Sequence, residues 1–215
     1  GNPYFTMKLV HGYTLGELLM YRERYDLTQL VDLILQVGLA LEDAHQHGVA
    51  HRDIKPHNIL AGPYGEVLLL DWGLAKVWHP DGSASEDGQA RPSDIKDLTI
   101  TGQGSAQGTP QYMSPEQINQ DPDIDHRTDV FSLGAVLYEI LCGKTPAVGE
   151  KLHHVIESAL NDTPPLPSEI STMRVPKLLE EIAMRCLEKA PDKRFDTMAD
   201  VVRMLQQDWR LDLMR

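Results

Sequence analysis

This chain of 215 residues is poor in cysteine, in aromatic residues and in positive charge. Its two cysteines, Cys142 and Cys186, fall in apolar helical patterns, so we expect buried free thiols in a reducing compartment instead of a disulfide or a metal site. A formal net charge of −12 disfavours a nucleic-acid-binding protein, because phosphate backbones need a basic surface. Apolar runs such as residues 67–70 are far too short to span a bilayer, and no signal peptide opens the chain. These absences predict a cytoplasmic protein with no membrane segment in this chain.

The length and a hydrophobic share of 41% favour one globular domain with a sizeable core. β-prone residues 4–10 predict a short strand, and apolar residues at three- and four-residue steps then predict a long amphipathic helix that ends near His47, with Gly48 at its C-cap. Residues 78–108, rich in polar residues and glycine, predict a long mobile surface loop. Three more apolar helices are predicted beyond it: residues 130–141, 178–187 and 201–209.

One stretch carries most of the chemical information: residues 51–58 read His-Arg-Asp-Ile-Lys-Pro-His-Asn. A strand-turn-strand signature follows and leads into Asp71-Trp72-Gly73, so the predicted hairpin returns Asp71 to the side of Asn58. In such a pattern Asp53 can orient a hydroxyl group and accept its proton, while Lys55 places a positive charge on a transferring phosphate. Asn58 and Asp71 offer the hard oxygen ligands that suit Mg²⁺. The pattern indicates phosphoryl transfer.

These motifs resemble those of the protein kinases, specifically the bacterial members of the eukaryotic-like (Hanks-type) serine/threonine branch, because Lys55 follows the catalytic aspartate. The resemblance continues through five later matches: Gly108-Thr109, Tyr112, Ser114-Pro115-Glu116, Asp129 with Gly134, and Arg194. It implies an α+β, mainly α, fold, the large C-terminal lobe of a kinase with a short β-hairpin at the active site. The implied parts are a hinge strand and connector at 1–14, the C-lobe at 15–215, and a long activation segment at 71–117.

The resemblance also implies ATP and Mg²⁺ as cofactors, and it assigns roles to residues outside the central motif. Met7 is the implied gatekeeper, Lys8 and Val10 offer backbone groups to the adenine, and Leu15 and Leu60 form an apolar floor beneath it. Thr109 would bond Asp53 and Lys55 and help to form the substrate platform. The implied structural residues are His51 beneath Trp72, Gly73 in the metal-binding triplet, Glu116 paired with Arg194, and Asp129, which holds the catalytic-loop backbone.

Arg52 stands beside the catalytic aspartate, and in the family such an arginine pairs with a phosphorylated loop residue. Thr99, Thr101 and Ser105 lie in the corresponding segment, and Thr101 is the favoured candidate. The alternative is a polar loop without a regulatory site. The nine histidines invite a metal interpretation, but His45 and His47 lie two residues apart on a helix and face apart, so structural roles are favoured.

The sequence departs from the family pattern in two places. Trp72 stands where the family usually has phenylalanine, and nothing before Met7 supplies the glycine-rich loop, lysine and glutamate of the N-terminal lobe. Residues 102–107 contain Gly-x-Gly but lack the third glycine and a preceding strand. The N-terminal lobe is therefore predicted to be almost entirely absent, which would leave an exposed apolar edge for that lobe in cis or an equivalent partner.

Two functions remain open at this point, with a third less favoured. The first is the catalytic lobe of a kinase that transfers the ATP γ-phosphate to Ser or Thr hydroxyls of protein substrates. The second is a non-catalytic, pseudokinase-like docking module, which would not need Asp53, Lys55, Asn58 and Asp71. A small-molecule kinase is disfavoured by the substrate platform at 109–116. We favour the first.

Overall fold

The computed structural model describes residues 10–77 and 110–210, and these form a mainly helical domain with a few short strands. Residues 4–9 of the predicted strand at 4–10 and the predicted loop at 78–108 lie outside the described residues. The helices are α1 Leu15–Leu19, α2 Leu27–Gln46, α3 Pro115–Ile118, α4 Arg127–Cys142, α5 Leu152–Asn161, α6 Pro167–Ile170, α7 Lys177–Cys186 and α8 Met198–Leu205. The strands are β1 Tyr13–Thr14, β2 Val49–Ala50, β3 Ile59–Ala61, β4 Val67–Leu69 and β5 Lys76–Val77.

The long helix α2 ends where its sequence predicts. Asp26 is the N-cap, and its carboxylate accepts a hydrogen bond from the backbone N–H of Thr28 at 3.2 Å. The apolar face that begins at Leu30 packs into the main core. The helix ends at Gln46, and Gly48 adopts a left-handed conformation with φ of 72°, which glycine reaches without a steric penalty. Because α2 runs directly into β2, it supports the loop that follows at residue 51.

Helix α4 is the centre of the domain. Fourteen residues of this helix are buried, and α2 and α7 pack against it. Gly134 permits the close approach of α7, because a Cβ atom at this position would lie 2.2 Å from the Cβ of Cys186. Both cysteines are buried and free, as the sequence predicts. A helix buried on nearly all sides is a rigid base for polar groups at its N-terminal end.

Two small antiparallel sheets complete the fold. Strands β3 and β4 form the predicted hairpin, with Ile59 opposite Leu69 and Leu60 opposite Leu68, and β1 adds to the other edge of β3. Strand β2 pairs with β5. The hairpin brings the chain after β4 back to the turn that precedes β3.

The prediction for the last helix was wrong at its C-terminal end. Helix α8 begins after the N-cap Thr197, but it ends at Leu205 and does not extend to Trp209. The chain turns after Gln206, and Trp209, whose exposed fraction is 1%, packs into the core from this turn. Helical spacing alone did not distinguish a continued helix from a turn that returns an aromatic side chain to the same core.

Candidate active site

The side chains of residues 51–58 converge on one carboxylate. Lys55 Nζ lies 2.7 Å from Asp53 Oδ2, and Asn58 Nδ2 donates to the same oxygen at 2.9 Å and to the Asp53 carbonyl at 2.8 Å. These three residues lie between β2 and β3, and a short 3₁₀ turn at Pro56–Asn58 folds Asn58 back towards Asp53. The sequence predicted this convergence, and the structure brings the three side chains together.

The hairpin places Asp71 next to this group. The backbone N–H of Leu70 donates to the Asn58 carbonyl at 2.7 Å, so the residue that follows Leu70 starts beside the catalytic loop. Asp71 is exposed and has φ of 60° and ψ of 70°, a left-handed conformation that is uncommon for a residue other than glycine. Its Oδ1 accepts from the Gly73 N–H at 3.3 Å. Strained backbone of this kind is often found where a fold must aim a functional side chain.

The donor set fits a hard divalent cation such as Mg²⁺. Because the amide nitrogen of Asn58 is turned to Asp53, its side-chain oxygen receives no hydrogen bond from any described residue. The second carboxylate oxygen of Asp71 likewise has no donor within residues 10–77 and 110–210. Mg²⁺ takes few protein ligands and fills its other positions with water and phosphate oxygens. Within the described ranges, no three His, Cys, Asp or Glu side chains come close enough to hold a metal ion by themselves.

Asp129, at the N-terminal end of α4, holds the backbone of the loop at residues 51–58. Its Oδ2 accepts from the His51 N–H and its Oδ1 from the Arg52 N–H, each at 2.8 Å. Oδ2 also lies 2.8 Å from His45 Nε2 on α2. The side chain of Asp129 has no exposed surface, so these contacts form in a region of low dielectric, where they are strong.

The contact of His45 with Asp129 was not predicted from the sequence. The sequence favoured a structural role for this histidine over a metal site, but it indicated no partner. Its position four residues after the buried Leu41 places it on the apolar face of α2, and that spacing was the available signal. The partner, Asp129, is 84 residues away in sequence, so no local pattern identified it.

His51 and Trp72 pack together as the resemblance implied. Their ring centroids lie 4.5 Å apart at an interplanar angle of 64°, and the exposed fraction of Trp72 is 40%. His51 Nε2 lies 3.0 Å from the Leu70 carbonyl, and Trp72 Nε1 donates to the Leu69 carbonyl at 3.1 Å. Burial lowers the pKa of His51, against the opposing effect of nearby carboxylates, of which Asp129 is the largest. His51 is therefore neutral at pH 7 and can accept a hydrogen bond at Nδ1.

A buried ion pair joins Glu116 on α3 to Arg194 in the region before α8. Arg194 contacts Glu116 through two parallel hydrogen bonds of 2.7 and 2.8 Å. The same guanidinium donates to three backbone carbonyls, those of Arg127, Lys189 and Glu188. Arg194 is 1% exposed, so nearly all of its donors are satisfied inside the protein. The pairing that the resemblance implied is present in the structure.

The guanidinium of Arg52, unlike that of Arg194, has a donor without a partner. Its Nε is buried and has no hydrogen-bond partner among the described residues. Burial lowers the pKa of Arg52, and Asp129 partly opposes this effect. A buried N–H donor without an acceptor is costly, so this side chain is suited to receive an anion that can accept from Nε.

The predicted nucleotide contacts have mixed outcomes. Val10 is half-buried and Leu60 has an exposed fraction of 9%, so both roles stay predictions. The prediction for Leu15 was wrong, because this side chain has no exposed surface and packs inside the main core, where a ligand cannot reach it. The remaining predicted site residues lie outside the described residues: Met7, Lys8, Thr99, Thr101, Ser105 and Thr109.

Comparison with known proteins agrees with this geometry. The model of the protein kinase domain matches residues 1–209. The chain belongs to the protein kinase domain family. A probable serine/threonine-protein kinase of Clostridium acetobutylicum and the serine/threonine-protein kinase PknB of Mycolicibacterium smegmatis are each 32% identical to it over 199 residues, or 93% of this chain. The serine/threonine-protein kinase PknD of Mycobacterium tuberculosis is 31% identical over 201 residues, or 94% of this chain.

The matched regions cover 27%, 29% and 28% of those three proteins, so this chain spans less than a third of each relative's length. The similarity therefore covers the protein kinase domain, and most of each relative's length lies outside the matched region. None of the described helices is both long enough and apolar enough to cross a membrane.

Proposed function

We propose that this chain is the catalytic, C-terminal lobe of a serine/threonine protein kinase, which transfers the γ-phosphate of ATP to Ser or Thr hydroxyls of proteins. The observation that carries the proposal is the Asp53 carboxylate, which both Lys55 and Asn58 contact within 3 Å while the hairpin brings Asp71 alongside. A surface loop with no chemical role has no reason to gather these four side chains. Similarity to the named serine/threonine-protein kinases supports the same assignment.

Asp53 would orient the substrate hydroxyl. Its Oδ2 is occupied by Lys55 and Asn58, and its Oδ1 receives no hydrogen bond from the described residues. The free oxygen can therefore accept a hydrogen bond from an incoming hydroxyl and take its proton late in the reaction, since the transition state for phosphoryl transfer is loose. Lys55, held at 2.7 Å from Asp53, would place its charge near the transferring phosphate.

Asn58 and Asp71 would hold Mg²⁺ with the phosphates of ATP. When bound, this cation neutralises negative charge on the phosphate oxygens. For this role Asn58 offers its free side-chain oxygen and Asp71 its exposed carboxylate. Val10 and Leu60 would contact the adenine, with Met7 and Lys8 contributing from the hinge.

The proposal requires a cover for the nucleotide, which family members build from an N-terminal lobe. Three exposed apolar side chains follow Asp71 in the chain and are candidates for contact with such a lobe: Trp72 is 40% exposed, Leu74 50% and Val77 58%. We expect these side chains to be covered by an N-terminal lobe in cis or by an equivalent partner.

Arg52 would respond to phosphorylation of the activation segment. A phosphate group on Thr99, Thr101 or Ser105 would supply a further anion for its guanidinium, whose buried Nε has no hydrogen-bond partner among the described residues. The pairing would stabilise an ordered segment next to Asp53, and Thr109 would then bond Asp53 and Lys55 from the substrate side.

The test is transfer of labelled phosphate from ATP with Mg²⁺ to a generic basic protein, measured in the complete protein that carries this domain. Asp53→Asn keeps the shape of the side chain but removes the base, and transfer should fall by about a hundredfold or more. Asp43→Asn, an exposed substitution on α2, is the matched control and should leave transfer unchanged. Transfer that is equal in Asp53→Asn and the wild type contradicts the proposal. If the folded wild type transfers no phosphate, the docking module becomes the better explanation.

A further inference from the structure

Gln117, in the first turn of α3, connects two parts of the site that lie far apart in sequence. Its Oε1 accepts from the backbone N–H of Ser114 at 3.1 Å, and its Nε2 donates to the Arg52 carbonyl at 2.7 Å. The first contact belongs to a capping box, which satisfies the N-terminus of α3 and needs only the side-chain oxygen. The second contact spans 65 residues and serves no purpose in α3 itself.

The Arg52 backbone needs this support. Its φ is 69°, in the left-handed region that is unfavourable for residues other than glycine. Its N–H donates to Asp129 on α4, and its carbonyl accepts from Gln117 on α3. Two side chains from different helices therefore hold the unfavourable conformation from both sides.

The carbonyl of Arg52 shares a peptide plane with the N–H of Asp53. That N–H donates to His51 Nδ1 at 3.2 Å, so hydrogen bonds fix both polar atoms of this plane. A planar peptide group held at both ends fixes the position of the next nitrogen and Cα, so that only rotation about N–Cα and the side-chain torsions remain. This peptide plane therefore restricts where the Asp53 carboxylate can meet Lys55.

We propose that Gln117 is a positioning residue for Asp53, acting through the Arg52 carbonyl. Gln117 is the last residue of the predicted activation segment at 71–117. Its hydrogen bond to Arg52 therefore couples the end of that segment to the catalytic loop. The inference rests on the proposed kinase activity. The competing explanation is that Gln117 only caps α3.

Gln117→Glu separates these explanations. A glutamate keeps the oxygen that accepts from Ser114 and preserves the capping box, but it has no donor for the Arg52 carbonyl and turns a negative charge towards it. Gln120→Glu is the matched control, because it adds the same charge three residues away at an exposed position. Both variants should unfold at nearly the wild-type temperature.

In the complete protein at about pH 8, we expect kcat of Gln117→Glu to fall by about fivefold to tenfold, which corresponds to the loss of one net hydrogen bond. KM for ATP should stay within about twofold, because nucleotide contacts are untouched. As the pH falls towards about 5.5, a fraction of the introduced carboxyl groups becomes protonated and regains a donor. The ratio of wild-type kcat to Gln117→Glu kcat should then decrease, whereas the same ratio for Gln120→Glu should not change with pH.

Hydrogen exchange provides a readout that does not depend on activity. The backbone amides of Arg52 and Asp53 should exchange faster in Gln117→Glu than in the wild type, with α4 unchanged. Unchanged exchange together with unchanged kcat would overturn the inference, as would equal losses in the two glutamate variants. If the wild type has no kinase activity but exchange at Arg52 and Asp53 still accelerates, the positioning contact stands and the proposed function fails.

Discussion

Asp129→Asn should weaken both the fold and the catalytic loop, although it changes a single atom. The carboxylate of Asp129 is fully buried and meets three donors: the backbone N–H groups of His51 and Arg52, and His45 Nε2. An asparagine oriented to keep its oxygen at the Oδ2 position retains two of them. Its NH₂ group then faces the Arg52 N–H, so one donor is placed against another.

The expected cost follows from these contacts. A hydrogen bond to a charged group contributes about 1.5–3 kcal/mol, and a buried donor left without an acceptor costs about 1–3 kcal/mol. The two retained bonds also weaken, because the acceptor becomes neutral. We therefore expect the free energy of unfolding to fall by roughly 3–5 kcal/mol, and Tm to fall by roughly 6–20 °C for a domain of this size.

The measurement is denaturant unfolding of the wild type and the variant, with the m-values compared to confirm that the unfolded states match. Hydrogen exchange should show that the backbone amides of His51 and Arg52 exchange faster in the variant than in the wild type. Asp43→Asn, at an exposed position, should change the free energy of unfolding by less than about 0.5 kcal/mol. A loss below about 1 kcal/mol in Asp129→Asn would show that the loop does not depend on these bonds.

Two further predictions concern Glu116 and His51. Glu116→Ala leaves the buried Arg194 guanidinium without its carboxylate and should cost about 3–5 kcal/mol in thermal or denaturant unfolding. Loss of the exposed Lys177–Glu181 pair in Glu181→Ala should cost less than about 1 kcal/mol, and similar losses in the two variants would contradict the argument. Burial lowers the pKa of His51 in the folded state, so the unfolded chain binds the proton first as the pH falls. The free energy of unfolding should therefore decrease from about pH 7.5 to about pH 5.5, with a smaller slope in His51→Gln; equal slopes would rule out this contribution.

The local sequence pattern was sufficient to predict several secondary-structure elements and the chemistry of the motif at residues 51–58. Apolar spacing and a glycine C-cap predicted α2, and turn residues between two apolar runs predicted the β3–β4 hairpin. Because the hairpin is short, it also fixed the approach of Asp71 to Asn58. The order of residue types at 51–58 predicted that Asp53, Lys55 and Asn58 belong to one phosphoryl-transfer site, since these groups are separated by only a few residues of loop.

Long-range contacts could not be predicted in this way. The hydrogen bonds from Gln117 to Arg52 and from His45 to Asp129 join residues 65 and 84 positions apart, and each depends on how helices cross. The role of Leu15 could not be predicted either. Its apolar side chain suited both a nucleotide contact and the hydrophobic core, and only the packing of the structure shows that it is fully buried in the core.

The sequence by itself determined which groups are available: a carboxylate, an ammonium and two oxygen ligands in an order that suits phosphoryl transfer. The tertiary structure decided how those groups are aimed. Arg52 has a left-handed backbone that its own residue type disfavours, so distant partners must hold it. For Arg52 those partners are side chains of α3 and α4, and their positions follow from the packing of the whole core.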